Sequence, residues 1–217
     1  MISILILILK IDLLNRSNNL EVNGSPSFFP NYLCCTVLPP NFYKWITTVV
    51  NTERKRLVIQ KFKESDIGPW AEIEKDPFVR RYIDGKTLSY DQAAAYVHRN
   101  IDHYNDKGFS RYAVRYKSTD QLIGMCGFLE EDYGIDFGYR YIPAFWGMGI
   151  GLEAAKAVLQ IGLPEPMPRT VFGIVALNNS GSIRILEKLD FHLLGRTRMH
   201  GLEALKYKYV IRNLDNQ

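Results

Sequence analysis

Histidine and cysteine are scarce in this sequence, and the few present follow no metal-binding pattern. The four histidines, His98, His103, His192 and His200, lack ligand spacing, and His98 and His103 stand five apart without the acidic context of an HExxH helix. No structural metal is expected. Cys34 and Cys35 are adjacent, a poor geometry for an ordinary disulfide, and Cys126 stands alone inside an apolar run. That usage excludes a disulfide scaffold and predicts a reducing, cytoplasmic setting. Excess charge is also lacking. With 27 Lys and Arg against 23 Asp and Glu, the net charge of +4 is small and dispersed, so no nucleic-acid partner is implied. Nor is there a long hydrophobic run. Ile2 to Leu9 is interrupted by Ser3 and is far shorter than the ~18 residues a membrane span needs. As a secretory signal this run lacks a basic segment before it and a prompt small-residue cleavage site after it. Neither export nor membrane insertion is predicted.

What is present divides unevenly. Between Met1 and Val50 only Lys10, Asp12, Arg16, Glu21 and Lys44 carry charge, and Asn, Ser, Gly and Pro clusters from Asn15 to Pro40 read as turns and linker. We read residues 1–50 as an N-terminal extension of unassigned role and residues 51–217 as one domain, large enough to bury its own core.

Regular periodicity begins in that domain. Arg56 to Phe62 is a strand pattern; Ser65 and Asp66 are placed to cap a helix carrying Ile67, Trp70 and Ile73 on one face. Ser89 with Gln92 forms a capping box before Ala94, Val97, Ile101 and Tyr104 at helical spacing, and Lys107-Gly108 closes the segment. Arg111 to Tyr116, Leu122 to Leu129 and Ile135 to Ile142 are β-rich runs whose short separations suit an antiparallel meander. After them Leu152 to Ile161 reads as a helix, Thr170 to Leu177 as a strand, Ser180 to Leu189 as a helix, and Phe191 to Arg196 and Leu205 to Ile211 as strands. This order predicts an α+β fold: a mixed, mostly antiparallel central sheet flanked by helices.

Gly147, Gly149 and Gly151 lie between a strand and a helix. Such a junction leaves backbone amides unpaired at the positive end of the helix dipole and can hold a phosphate, although a tight turn explains the glycines equally well. A Walker site is excluded because no Lys-Ser or Lys-Thr follows, and a Rossmann site because no parallel βαβ series precedes.

The run Asp136 to Ala154, containing Trp146-Gly147-Met148-Gly149-Ile150-Gly151, resembles the acetyl-CoA site of the GNAT N-acetyltransferases. More narrowly, it resembles the branch related to enzymes that acetylate the N-termini of ribosomal proteins. The superfamily pattern Gln/Arg-x-x-Gly-x-Gly/Ala falls on Trp146, Gly149 and Gly151, with Trp in place of the first residue. Asn179-Ser180-Gly181-Ser182 and the segment to Phe191 are similar to the branch's Asn-x-x-Ser helix ending in Gly-Phe. Asp190 replaces that Gly, a substitution that left-handed geometry tolerates. The resemblance covers about Asn51 to Arg212.

It implies a fold in which the strand before the loop splays from the next and accepts the pantetheine arm through main-chain hydrogen bonds, here along Tyr139, Tyr141 and Ile142. The pyrophosphate would rest on amides from Gly147 through Gly149 and Ile150 to Gly151, at about 1.5–3 kcal/mol per charge-assisted bond. Asn179 would bond the pantetheine amide. Acetyl transfer to an amine then needs a proton removed from the ammonium, an oxyanion stabilised and the sulfur protonated. The resemblance gives the last task to Ser182, which could otherwise be a helix-start residue. Asp136 is the acidic candidate for general base or for orienting substrate, with Glu130 and Glu131 as rivals in what reads as a loop. Glu153 reads as a dipole-stabilising residue and Cys126 as core, so a covalent acyl-cysteine route is not expected. Tyr82, Trp70, Tyr104 and Tyr112 either line the acceptor pocket or fill the core. The protein is thus expected to be an acetyl-CoA-dependent N-acetyltransferase, monomeric or homodimeric, acting on a primary amine through a ternary complex. The alternative is a catalytically silent CoA-binding sensor or assembly module.

Overall fold

Leu57 and Ile59 point inward from the first strand, β1 (Leu57–Lys61), which pairs antiparallel with β2 (Arg111–Tyr116). The computed structural model describes residues 56–211; the N-terminal extension, with Cys34 and Cys35, lies outside the described residues. After β1, Glu64–Asp66 forms a single 3-10 turn and α1 runs over Ile67–Glu74. The expected Ser65/Asp66 cap does not form. The Asp66 carboxylate instead reaches back to the start of the 3-10 turn, accepting from the Lys63 amide at 3.0 Å, and pairs with Arg115 of β2 rather than with the amides of α1. A short helix absent from the sequence reading, α2 (Pro77–Arg80), follows; Asp76 caps it by accepting from Phe78 N at 2.8 Å.

The capping box opens α3 (Tyr90–Lys107) as expected. The Ser89 hydroxyl accepts from Gln92 N at 3.2 Å, the Gln92 side chain accepts from Ser89 N at 2.9 Å, and left-handed Gly108 closes the helix. β2, β3 (Gln121–Glu131) and β4 (Gly134–Tyr141) form the predicted antiparallel meander. β3 runs longer than expected, so Glu130 and Glu131 lie in the strand and not in a loop. Glu130 pairs with Lys107 at 2.8 Å.

Next come α4 (Ile150–Ile161), β5 (Thr170–Ala176), α5 (Ser180–Lys188), β6 (His192–Met199) and β7 (Leu202–Val210). The sheet order is β1-β2-β3-β4-β5-β7-β6, and β4–β5 is its parallel pair. Asp190 takes φ 60° just past α5, the left-handed stop that its position required. The last hairpin extends to a turn at His200 and Gly201, beyond the expected strand ends. Its tip carries the exposed pair Arg198 and Glu203, so no apolar alternation marked it.

The sheet is buried on both faces, which explains the unbroken burial along the middle of β3. One face packs Phe128 and Phe137 with Val158 of α4 and Leu186 of α5; the other packs Met125 and Ala113 against Trp70 and Val97 of α1 and α3. Full burial of each large side chain stabilises the fold by about 1.5–3 kcal/mol before entropy is counted. Two packed faces hold β4 rigidly, and β4 positions the site.

Candidate active site

β4 and β5 pair only at Ile135–Val171 and Asp136–Phe172. Beyond that point β4 keeps its ladder to β3 through Phe137 to Tyr141, while its other edge faces a cleft of about 460 Å³. Tyr139, Tyr141, Trp146, Gly147, Gly149, Ile150, Gly151, Asn179 and Ser182 line this cleft, so most of the predicted site comes together there.

The loop between β4 and α4 is set locally. Pro143–Phe145 makes a 3-10 turn, and the Trp146 indole Nε1 donates to the Tyr141 carbonyl at 2.8 Å. Gly147 and Gly149 follow at φ 75° and 77°, left-handed positions that a Cβ would disfavour, and Gly149 is the N-cap of α4. The first amides of α4 have no intrahelical acceptor. Glu153 sits in that first turn as expected, and its carboxylate also holds Arg56. Arg56 Nη2 donates to Glu153 Oε2 at 2.8 Å, the Arg56 amide donates to Oε1 at 2.8 Å, and Nη1 donates to the Met148 carbonyl at 3.0 Å. This clamp has no signature in the sequence. Nothing near Arg56 in the chain signals a partner 97 positions away.

The opposite wall is the start of α5. The Asn179 side-chain oxygen accepts from Ser182 N at 3.1 Å, capping the helix and leaving the side-chain amide as a donor. The Ser182 hydroxyl donates to the Tyr139 phenol oxygen at 3.0 Å, and that phenol donates to the Ser182 carbonyl at 3.1 Å. Burial pushes the Tyr139 phenol above its ordinary pKa, so it stays protonated; the Ser182 bond opposes that shift.

Two predicted residues fall elsewhere. Ile142 lies outside the cleft wall and its amide already donates to the Ile123 carbonyl at 2.9 Å, so the main-chain role expected of it is taken by the β3 ladder. Asp136 also lies outside the wall. Its carboxylate pairs with Arg111 and accepts from the Tyr133 phenol at 2.9 Å. Burial opposes the Arg111 charge, yet Asp136 holds that guanidinium above its ordinary pKa. Both oxygens of Asp136 are thus engaged, which argues against a free general base. Among the described residues, no Asp, Glu or His lines the cleft.

Of the acceptor-pocket aromatics, Trp70, Tyr104 and Tyr112 are core, and Tyr82 reaches the cleft. Beside it the Arg81 guanidinium lies 4.4 Å from the Tyr82 ring centre and 4.9 Å from that of Trp146. Arg140, also on the wall, is held by buried Glu74 at 2.9 Å and lies 5.1 Å from both the Trp70 and Tyr96 ring centres. Cys126 is fully buried away from the cleft, and burial pushes its thiol up to about 12.

Comparison with known proteins places this geometry. The family pattern described as Acetyltransferase (GNAT) domain matches residues 56–192. A Bacillus licheniformis protein named "Uncharacterized N-acetyltransferase p20" is 26% identical over 148 residues, covering 66% of this chain and 83% of that one. The crystal structure of a GNAT-family acetyltransferase from Bacillus anthracis is similar in fold: TM-score 0.62, 23% identity, 73% of this chain and 97% of that chain. So is RimL, a ribosomal L7/L12 alpha-N-protein acetyltransferase solved with coenzyme A: TM-score 0.62, 17% identity, 72% and 95% covered. The matched segment runs from β1 to the start of β6 and carries the splayed strands, the glycine loop and the Asn179–Ser182 wall: the chain belongs to the GNAT acetyltransferase family.

Proposed function

We propose that the β4–β5 cleft holds acetyl-CoA and that the protein passes the acetyl group directly to a primary amine, either a peptide N-terminus or a small molecule. The observation that carries this reading is the divergence of β4 from β5 after Asp136, which leaves one strand edge unpaired and leading into the glycine loop. The residues fit such a ligand. The β4 edge offers main-chain groups to a pantetheine arm, and a Cβ built on Gly147 would meet nothing within 4 Å, so the loop lies open to a phosphate.

When bound, acetyl-CoA supplies the activated acyl group. Trp146, pinned to Tyr141, and Arg56, pinned to Met148, hold the loop in place. Asn179 offers its side-chain amide to the arm, and Ser182 offers its hydroxyl to the leaving sulfur. Asp136 keeps Arg111 in place at the closed end of the wedge. The RimL likeness supports a peptide N-terminus among the acceptors. A primary amine as the sole partner, a cytoplasmic setting and a monomer or homodimer complete the proposal. No helix among the described residues is long and apolar enough to cross a membrane.

The test is to incubate the protein with acetyl-CoA and a panel of peptide and small-molecule amines, following free thiol. Thiol release above the hydrolysis blank with at least one amine is expected. If CoA binds and no amine raises thiol release, the transferase reading is lost.

A further inference from the structure

The Tyr139 phenol makes two hydrogen bonds, and both go to one residue across the cleft. It accepts from the Ser182 hydroxyl at 3.0 Å and donates to the Ser182 carbonyl at 3.1 Å, joining β4 to the first turn of α5 over 43 positions of sequence. Tyr139 also packs on aromatic neighbours, with ring centres 5.8 Å from Phe137 and 6.4 Å from Tyr141. For that packing a phenylalanine would serve. The hydroxyl is therefore the informative part, because burying one costs free energy unless it is bonded. Tyr141, two residues on and facing the same side, sets its buried phenol against the Cys126 thiol of β3 instead. Two phenols on one face of β4 thus meet different groups, and the one at Tyr139 meets Ser182 across the cleft.

A serine hydroxyl turns freely about its Cβ–Oγ bond, so its hydrogen has no preferred direction unless a neighbour imposes one. We propose that the Tyr139 phenol is a positioning residue for Ser182. It takes up the Ser182 hydrogen while the cleft is empty. When a sulfur arrives it turns its own O–H from the Ser182 carbonyl to Ser182 Oγ, so that the serine hydrogen points at the sulfur. No covalent bond of Tyr139 changes and its proton is not consumed. This inference rests on the assignment of Ser182 to the sulfur made above.

The experiment uses the full chain and coenzyme A itself, so it does not depend on knowing the acceptor. Wild type, Ser182→Ala, Tyr139→Phe and the double variant are each saturated with CoA. The thiolate absorbance of the bound cofactor is then titrated against pH, with desulfo-CoA complexes as blanks. A hydroxyl aimed at the sulfur favours the thiolate. Removing it raises the proton affinity of bound CoA about tenfold, the scale of one hydrogen bond to a charged group.

The expected result is the same rise for Tyr139→Phe, Ser182→Ala and the double variant, with CoA affinity within about twofold of wild type by calorimetry. A purely structural role would change affinity and melting instead, and its effects would multiply with those of Ser182→Ala. Ser182→Thr, which keeps a hydroxyl, should behave like wild type alone and like Ser182→Ala in the Tyr139→Phe background.

Wild-type behaviour of Tyr139→Phe, with Ser182→Ala shifted, overturns the inference and leaves the Ser182 assignment standing. Wild-type behaviour of Ser182→Ala removes both. Multiplying effects make Tyr139 an independent contributor and overturn the positioning role. Failure of wild type to bind CoA defeats the cofactor reading and this inference with it.

Discussion

The guanidinium of Arg56 and the carboxylate of Glu153 meet at 2.8 Å, tying the start of β1 to the first turn of α4. A further bond, from Arg56 Nη1 to the Met148 carbonyl at 3.0 Å, puts the clamp on the glycine loop itself. The pair is partly exposed, with 42% of the Arg56 side chain accessible, so its direct worth to stability is small, about 0.2–1 kcal/mol. Its larger effect is on loop geometry. Arg56→Ala should weaken CoA binding about threefold to tenfold while lowering the melting temperature only slightly. Calorimetric titration with CoA checks this, and unchanged affinity would show that the loop holds its shape without the clamp.

Gly149→Val should abolish CoA binding, and the structure identifies the cause. A Cβ at Gly149 would come no closer than 3.8 Å to the Arg56 guanidinium, so crowding within the protein is not the obstacle. The left-handed φ of 77° is, because a β-branched residue there costs at least about 1–2 kcal/mol and is driven into another conformation. Binding of CoA by this variant at wild-type strength would reduce the loop to a simple turn.

Asp136 and Arg111 form a pair with only 13% and 7% of their side chains exposed. Removing one charge from a buried pair leaves the other uncompensated. Asp136→Asn should therefore destabilise the fold by about 3 kcal/mol in denaturant titration. A general base at this position would give the opposite pattern, with stability retained and kcat lost. That outcome would return Asp136 to the chemistry.

Cys126 provides a pH test of the core. Its thiol is raised from 9.0 to about 12 by burial, so folding favours the protonated form. The sign follows from linkage: the contribution is fully present below pH 9.0 and is lost as pH rises from there through about 12, because the unfolded chain ionises first. In the folded protein at about pH 8, Cys126 should resist alkylation by iodoacetamide and should react once urea unfolds the chain. Peptide mapping by mass spectrometry reads this at Cys126 itself. Rapid labelling of the native protein would contradict its burial.

The elements most legible in the sequence were those whose signals are local. The Ser89–Gln92 capping box, the left-handed stop at Asp190 and the strand–glycine–helix junction at Gly147 to Gly151 are each determined within a few residues of backbone. The structure has them where the sequence predicts. The short helix α2 was missed because four residues, Pro77–Arg80, are too few to show a period. Asp66 was misread because a carboxylate that could cap a helix can also pair with Arg115, and which partner it takes is set by packing.

The same division runs through the site. By itself the sequence determined the order of the strands and the longer helices and the loop that could hold a phosphate, because backbone dihedrals and capping are short-range, whereas Asn179 and Ser182 stood out only through the family resemblance. Tertiary structure alone decided that Asp136 is occupied by Arg111, that the Ile142 amide belongs to Ile123, that Arg56 holds the loop and that Tyr139 faces Ser182. Each of these relations joins groups far apart in the chain, and a hydrogen bond or ion pair over a few ångströms exists only once the sheet has brought its two ends together.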